Sequence, residues 1–169
     1  MTPPPPARGP VLEVRGLVTR FHTREGTVHA VSGISYALAS GEALAIVGES
    51  GCGKSVGALS LMGLVPWPGR VEAGEVLLGG RDGLKLPESA WRDVRGREIA
   101  MVFQDPMTSL NPVLSVGYQL TEGLRRHLRM SAREARDRAG ELLRLVGIPN
   151  ADGRLSEHPH QFSGGQRQR

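Results

Sequence analysis

The sequence has one cysteine in 169 residues, Cys52, so no disulfide can close within the chain. A lone thiol fits a reducing compartment. No apolar run approaches the roughly 18 residues of a membrane-spanning helix. Work at a membrane would therefore mean docking onto another protein. Residues 1–6 carry no apolar stretch of the kind a secretory signal needs, so none is expected. Lysine is nearly absent, with two against nineteen arginines. The formal net charge is +4, but the arginines are interleaved with Asp and Glu and form no dense run. Nucleic-acid binding is not expected from such a distribution. No internal repeat is visible.

What is present suits one folded domain. The apolar share is 39%, enough for a packed core at this length. Residues 1–10 read as a flexible, proline-rich lead, and 11–169 as the domain. Extended segments are expected over 11–21, 28–31 and 34–38, punctuated by Gly26, Gly33 and Gly41, giving a small antiparallel region. Residues 43–47 are continuously apolar, the pattern of a strand buried on both faces in a parallel sheet. Further strands are expected over 76–78 and 99–103, and a helix over 55–64. The clearest helix spans 131–146. Ser131 and Glu134 form a capping-box pattern. Ala135, Ala139, Leu142, Leu143 and Val146 share one face, and Gly147 and Pro149 end it.

The chemistry concentrates in Gly48-Glu49-Ser50-Gly51-Cys52-Gly53-Lys54-Ser55, which matches G-x-x-x-x-G-K-[ST] between an expected strand and an expected helix. Glycines let the backbone close around phosphate oxygens, because no Cβ blocks the approach. Inward N–H groups and the helix N-terminus favour an anion. Lys54 would reach the β/γ-phosphates, and Ser55 would ligate Mg²⁺. A serine-hydrolase elbow is excluded, since Ser50 is followed two residues on by Cys52 rather than glycine. Cys52 reads as a small loop residue and the His158/His160 pair as solvated, not as a metal site. The loop alone leaves kinases, GTPases and many ATPases open.

Two later motifs narrow this. Phe162-Ser163-Gly164-Gly165-Gln166 resembles the signature sequence of ABC ATPases, and Phe103-Gln104-Asp105-Pro106 resembles their Q-loop. The stretch from Gln104 to Pro112 (QDPMTSLNP) and the stretch from His158 to Arg169 (HPHQFSGGQRQR) are similar to those of the dipeptide/oligopeptide/nickel importer ATPases. The resemblance runs from about Val11 to Arg169.

It implies an α/β P-loop NTPase fold of the ABC ATPase type, with an antiparallel β region, a partial parallel core sheet and an inserted helical subdomain near 108–163. It implies ATP and Mg²⁺ as cofactors, with Gly48 to Ser55 holding the triphosphate. Phe21 would stack on adenine, and Gln104 would touch Mg²⁺ or the attacking water. Ser163, Gly164, Gly165 and Gln166 would meet ATP held by a second ABC ATPase subunit. Residues 108–146 would meet membrane-spanning permease subunits at the cytoplasmic face, with an extracytoplasmic substrate-binding protein as an indirect partner and peptides as the cargo expected ahead of nickel. The family's Walker B Asp, catalytic Glu, D-loop and switch His have no counterpart up to Arg169. The chain thus reads as an N-terminal portion that binds nucleotide, with hydrolysis expected in the complete protein and its dimer. A binding-only module or gene fragment, and a different P-loop enzyme such as a kinase or GTPase, are the alternative readings.

Overall fold

The computed structural model describes residues 9–103 and 109–169. The chain divides into two compact units, Met1–Glu98 and Ile99–Arg169.

The first unit is built on a four-stranded antiparallel sheet of order β2-β1-β3-β4, formed by β1 (Leu12–Thr23), β2 (Gly26–Leu38), β3 (Gly69–Leu78) and β4 (Arg81–Asp82). Alternation of side chains along β1 turns Val14, Leu17 and Thr19 inward. The register shifts between Val14 and Leu17, a bulge that places two exposed residues, Arg15 and Gly16, between two buried ones. The opposite face is charged. Glu72 of β3 receives Arg20, His22 and Arg70 at 2.9, 2.6 and 3.3 Å. The expected segments 28–31 and 34–38 are one continuous strand, β2, and the segment expected at 76–78 begins earlier, at Gly69.

Helix α1 (Lys54–Leu61) covers the inner face. Val56 and Leu61 pack on a core of Val14, Leu17, Val31 and Val76. Beyond this apolar contact, a buried hydroxyl pair ties the helix to β1. The Ser60 hydroxyl donates to the Val56 carbonyl at 2.7 Å, so Thr19 Oγ1 is the donor in its 2.8 Å bond to Ser60 Oγ. Both residues are fully buried, where an unmatched hydroxyl is costly. Helix α2 (Glu88–Val94) buries Trp91 and Val94. Arg95 stacks over Trp91 at 4.9 Å and donates to the Met62 and Gly63 carbonyls, satisfying acceptors just beyond the end of α1.

Two expected strands are not observed. Residues 43–47 join no ladder among the described residues and 99–103 form only an isolated bridge at Ile99, and Val47 and Val102 are 88% and 95% exposed. An apolar run reads as a doubly buried strand only if neighbours cover both edges and both faces. No described strand lies alongside either segment, so the parallel part of the expected sheet is not formed here.

The second unit is helical: α3 (Val116–Leu128), α4 (Ala132–Leu145), α5 (Ala151–Arg154) and α6 (Gly164–Gln168). Val116, Ala139, Leu143, Ile148, Ala151, Leu155 and Phe162 form its core, with Leu120 and Leu124 of α3 packed against it. Helix α4 starts and ends as the sequence indicates. Ser131 Oγ accepts from Glu134 N, and Glu134 Oε2 accepts from Ser131 N at 2.8 Å. Gly147 follows the helix at φ 73°. Helix α3, which the sequence reading placed only inside a helical region, is capped by Ser115.

Two outcomes follow. Leu155→Ala, at a fully enclosed site, lowers unfolding free energy by about 2–5 kcal/mol, whereas Leu145→Ala, 75% exposed, changes it by less than about 0.5 kcal/mol in the same urea titration. The Glu134 carboxyl is held below its ordinary range by the Ser131 hydroxyl and backbone N–H. A depressed carboxyl contributes stability above its unfolded pKa and loses it as pH falls through the folded value. Glu134→Gln therefore flattens the decline in stability between about pH 5 and pH 3, read from denaturation midpoints across that window.

Candidate functional site

The loop at 48–55 is shaped by backbone demands before side chains enter. Gly53, the residue preceding α1, sits at φ 90°, ψ 2°. A Cβ there would overlap the Ala30 carbonyl oxygen of β2, so only glycine lets the loop lie against the sheet. At Gly48 a Cβ would come within 2.6 Å of Cys52 Sγ. No side chain caps α1 and no acidic residue occupies its first turn. Its leading amides are therefore donors without intrahelical partners, at the positive end of the helix dipole.

Lys54 Nζ folds back over this loop. It donates to the Gly48 and Glu49 carbonyls at 2.6 and 2.7 Å and to Cys52 Sγ at 3.4 Å. Lys54, Ser55 and Cys52 are exposed. The loop thus holds one ammonium, the Ser50 and Ser55 hydroxyls and a run of glycine-rich backbone. That donor set fits a polyphosphate with its Mg²⁺: the amides and Lys54 would take phosphate oxygens, and Ser55 Oγ would take the metal. Cys52, Gly53 and Lys54 of the loop also line one side of a groove of about 390 Å³, whose other walls include His29, Ser32, Ile34, Ile46, Val47 and Leu61.

Phe21 lies on the strand next to β2, opposite Val28 and Gly69, with its ring against Gly69. Since Gly53 meets Ala30, two residues on from Val28 in β2, Phe21 and the loop occupy the same end of the sheet. The ring is half-buried.

The second unit carries the other sequence-derived group. Ser163 precedes α6, its hydroxyl accepting from Gln166 N at 3.3 Å, while Gln166 Oε1 accepts from Ser163 N at 3.0 Å. Gln166 is therefore engaged with its own helix start. Ser163, Gly164 and Gly165 are exposed. Phe162 is their anchor, buried in the core under the Arg154 guanidinium at 5.2 Å. Gln104 lies outside the described residues. His158 and His160 stack at 5.7 Å, and no metal-binding cluster occurs among the described residues.

The residues that hold the loop in place, Ala30, Thr19 and Ser60, carry no motif and were not singled out from sequence. Thr19 and Ser60 are small hydroxyl residues amid apolar neighbours, which is a signal only after their pairing is known.

The family model described as ABC transporter matches residues 31–169. The oligopeptide transport ATP-binding protein OppD of Bacillus subtilis (strain 168) is 51% identical over 160 residues, covering 94% of this chain and 45% of its own length. The dipeptide transport ATP-binding protein DppD of the same organism is 52% identical over 160 residues, covering 94% and 48%. The chain thus spans about half the length of the curated relatives it matches. Among solved structures, a dimeric bacterial ABC transporter cassette superposes with a TM-score of 0.77 at 26% identity, over 93% of this chain and 65% of that one. An ATP-bound bacterial Atm1-family exporter superposes at 0.63 with 26% identity, over 99% and 27%.

The loop geometry separates its glycines. Gly51→Ala meets open space and carries only the left-handed backbone penalty, about 1–2 kcal/mol. Gly53→Ala adds a collision with the Ala30 backbone and costs more than Gly51→Ala, measured by chemical denaturation of the two variants side by side.

Proposed function

We propose, from the premise that the chain belongs to the ABC transporter family whose model matches residues 31–169, that it binds MgATP as the energy-coupling part of an importer for di- or oligopeptides. The observation that carries this is the loop at 48–55: glycine backbone pressed to β2, uncapped amides at the start of α1, and Lys54 over the turn. The relatives named as oligopeptide and dipeptide transport ATP-binding proteins support peptides as cargo.

In this reading Gly48 to Ser55 hold the triphosphate, Lys54 exchanges the Gly48 and Glu49 carbonyls for phosphate oxygens, and Ser55 takes Mg²⁺. The ion supplies charge neutralisation on the phosphates when bound. Phe21 offers its ring to the adenine. Ser163, Gly164 and Gly165 present a hydroxyl and amides to nucleotide on a second ATPase subunit, and Gln104 acts on the metal or water. The described residues contain no helix long and apolar enough to cross a membrane, so attachment at the cytoplasmic face would run through permease subunits met by the helical unit. No carboxylate here is assigned as general base. The activity proposed for this chain is binding, with turnover assigned to the complete protein and its dimer.

Lys54→Ala removes the only side-chain cation of the loop and weakens MgATP binding by about 10–100-fold, from the ~1.5–3 kcal/mol of a charged hydrogen bond, read by equilibrium titration with a fluorescent nucleotide. MgATP also slows modification of Cys52 by a thiol reagent, and that protection disappears in Lys54→Ala. Undiminished affinity in the variant overturns the assignment.

A further inference from the structure

Gly69 opens β3 directly opposite Phe21, and Val28 faces Phe21 from β2, so the three form one row across the sheet. Residues paired in this way share a face. Val28 is 55% exposed and the Phe21 ring is half-buried, at the end of the sheet that also carries the phosphate loop.

The backbone does not ask for glycine at 69. Its φ lies outside the left-handed region that favours glycine. The demand comes from the ring across the ladder. A Cβ at Gly69 would stand 2.5 Å from Cε1, 2.7 Å from Cζ and 2.8 Å from Cδ1 of Phe21. Near-equal distances to three consecutive ring atoms put the added carbon over the face of the ring. An approach at the rim would leave the two neighbours of Cε1 much farther away. One face of the ring is therefore closed by Gly69, and its exposed area lies on the other face and the rim.

Glycine under an aromatic ring across strands is also a plain packing pair. Packing alone gains most from a fully buried ring, whereas this one stays half exposed beside an exposed Val28. The Gly69 backbone is meanwhile tied down on both sides. Its N–H donates to the Pro66 carbonyl at 2.8 Å, and the Pro68 carbonyl accepts from the N–H of His22, next to Phe21, at 3.3 Å. A side chain added at 69 thus meets a tethered backbone and a ring that can turn, and the ring gives way.

We infer that Gly69 is the positioning residue of the base site: it lets the Phe21 ring lie down on β3 and so sets the plane on which the adenine of MgATP stacks. This rests on the reading that Phe21 meets adenine, and it adds what orients the ring. Losing Gly69 costs base recognition and spares phosphate recognition, because the loop at 48–55 is anchored separately through Ala30.

The test compares MgATP with magnesium tripolyphosphate, which carries the phosphates without the base, by isothermal titration of the full chain. Gly69→Ala binds MgATP about tenfold more weakly, the scale of one lost base–aromatic stack, and magnesium tripolyphosphate within about twofold of wild type. Phe21→Ala does the same. In the double variant Phe21→Ala, Gly69→Ala the second change adds less than about twofold, because the ring it displaces is gone. Fluorine NMR of chain labelled with para-fluorophenylalanine reads the ring directly. Of the three phenylalanine signals, the one lost in Phe21→Ala moves in Gly69→Ala before nucleotide is added. Losses that add in the double variant, an equal loss for tripolyphosphate, an unmoved Phe21 signal, or MgATP affinity kept in Gly69→Ala while Phe21→Ala loses it each overturns the inference alone. MgATP affinity kept in Phe21→Ala, or no MgATP binding by the wild-type chain, overturns the nucleotide reading of Phe21 and the inference with it.

Discussion

Everything proposed for the phosphate loop depends on one close approach, Gly53 against the Ala30 carbonyl. It sets the loop onto β2 through backbone alone, so the loop position follows the sheet rather than any side-chain rotamer. The Thr19–Ser60 bond acts about two turns further along α1. It fixes the rotation of the helix relative to β1, because a hydroxyl buried on one side finds its partner in a single register. Together they aim the start of α1, and with it the unsatisfied amides, along the surface where Phe21 also ends. The apolar core beneath would tolerate small shifts of the helix, and these polar and steric constraints would not.

The two units present positive charge in different forms. At the loop, backbone amides and a single compact ammonium converge, an arrangement suited to oxygens at close range. Lys54 is satisfied there by two carbonyls, so a phosphate must replace those bonds rather than meet a bare cation. This favours ligands with several oxygens, which engage the amides at the same time. In the helical unit the charge rides on long arginine side chains. Arg138, Arg144 and Arg154 are neutralised in place by carboxylates. Planar forks on helices read shape and register in a partner, where a glycine loop reads oxygen density.

Local features were legible in the sequence, and non-local ones were not. The capping box at Ser131 and Glu134 needs only residues within one turn, and its four atoms meet as the spacing indicates. The loop at 48–55 was legible through its spacing: Gly48 and Gly51 answer demands within the loop, a close Cys52 Sγ and a left-handed backbone, while the demand on Gly53 comes from Ala30 of β2. The burial of residues 43–47 was misjudged for the opposite reason: it depends on neighbouring strands that composition cannot supply. The early start of β3 was hidden by Arg70 and Glu72, whose charges face solvent across from Arg20 and His22. Helix α3 shows Val116, Leu120 and Leu124 at intervals of four, a helical signal that the Ser115 cap strengthens. The Arg95 contacts to Met62 and Gly63 join residues some thirty apart in sequence, and no pattern announces them.

The same asymmetry bears on how the loop behaves. On its C-terminal side it is held by α1, the Ala30 contact and the buried hydroxyls. On its N-terminal side it continues into 43–47, which no described strand pairs. A segment fixed at one end and unladdered at the other belongs to the low-stability part of a structure. A ligand that binds only the closed loop then stabilises it by mass action, in proportion to the logarithm of ligand over Kd. Phosphate oxygens bridging the Gly48 side to the start of α1 would join the weak side to the strong one. Nucleotide would thereby order the loop's weak arm, and the energy of binding would be expressed partly as structure around residues 43–48.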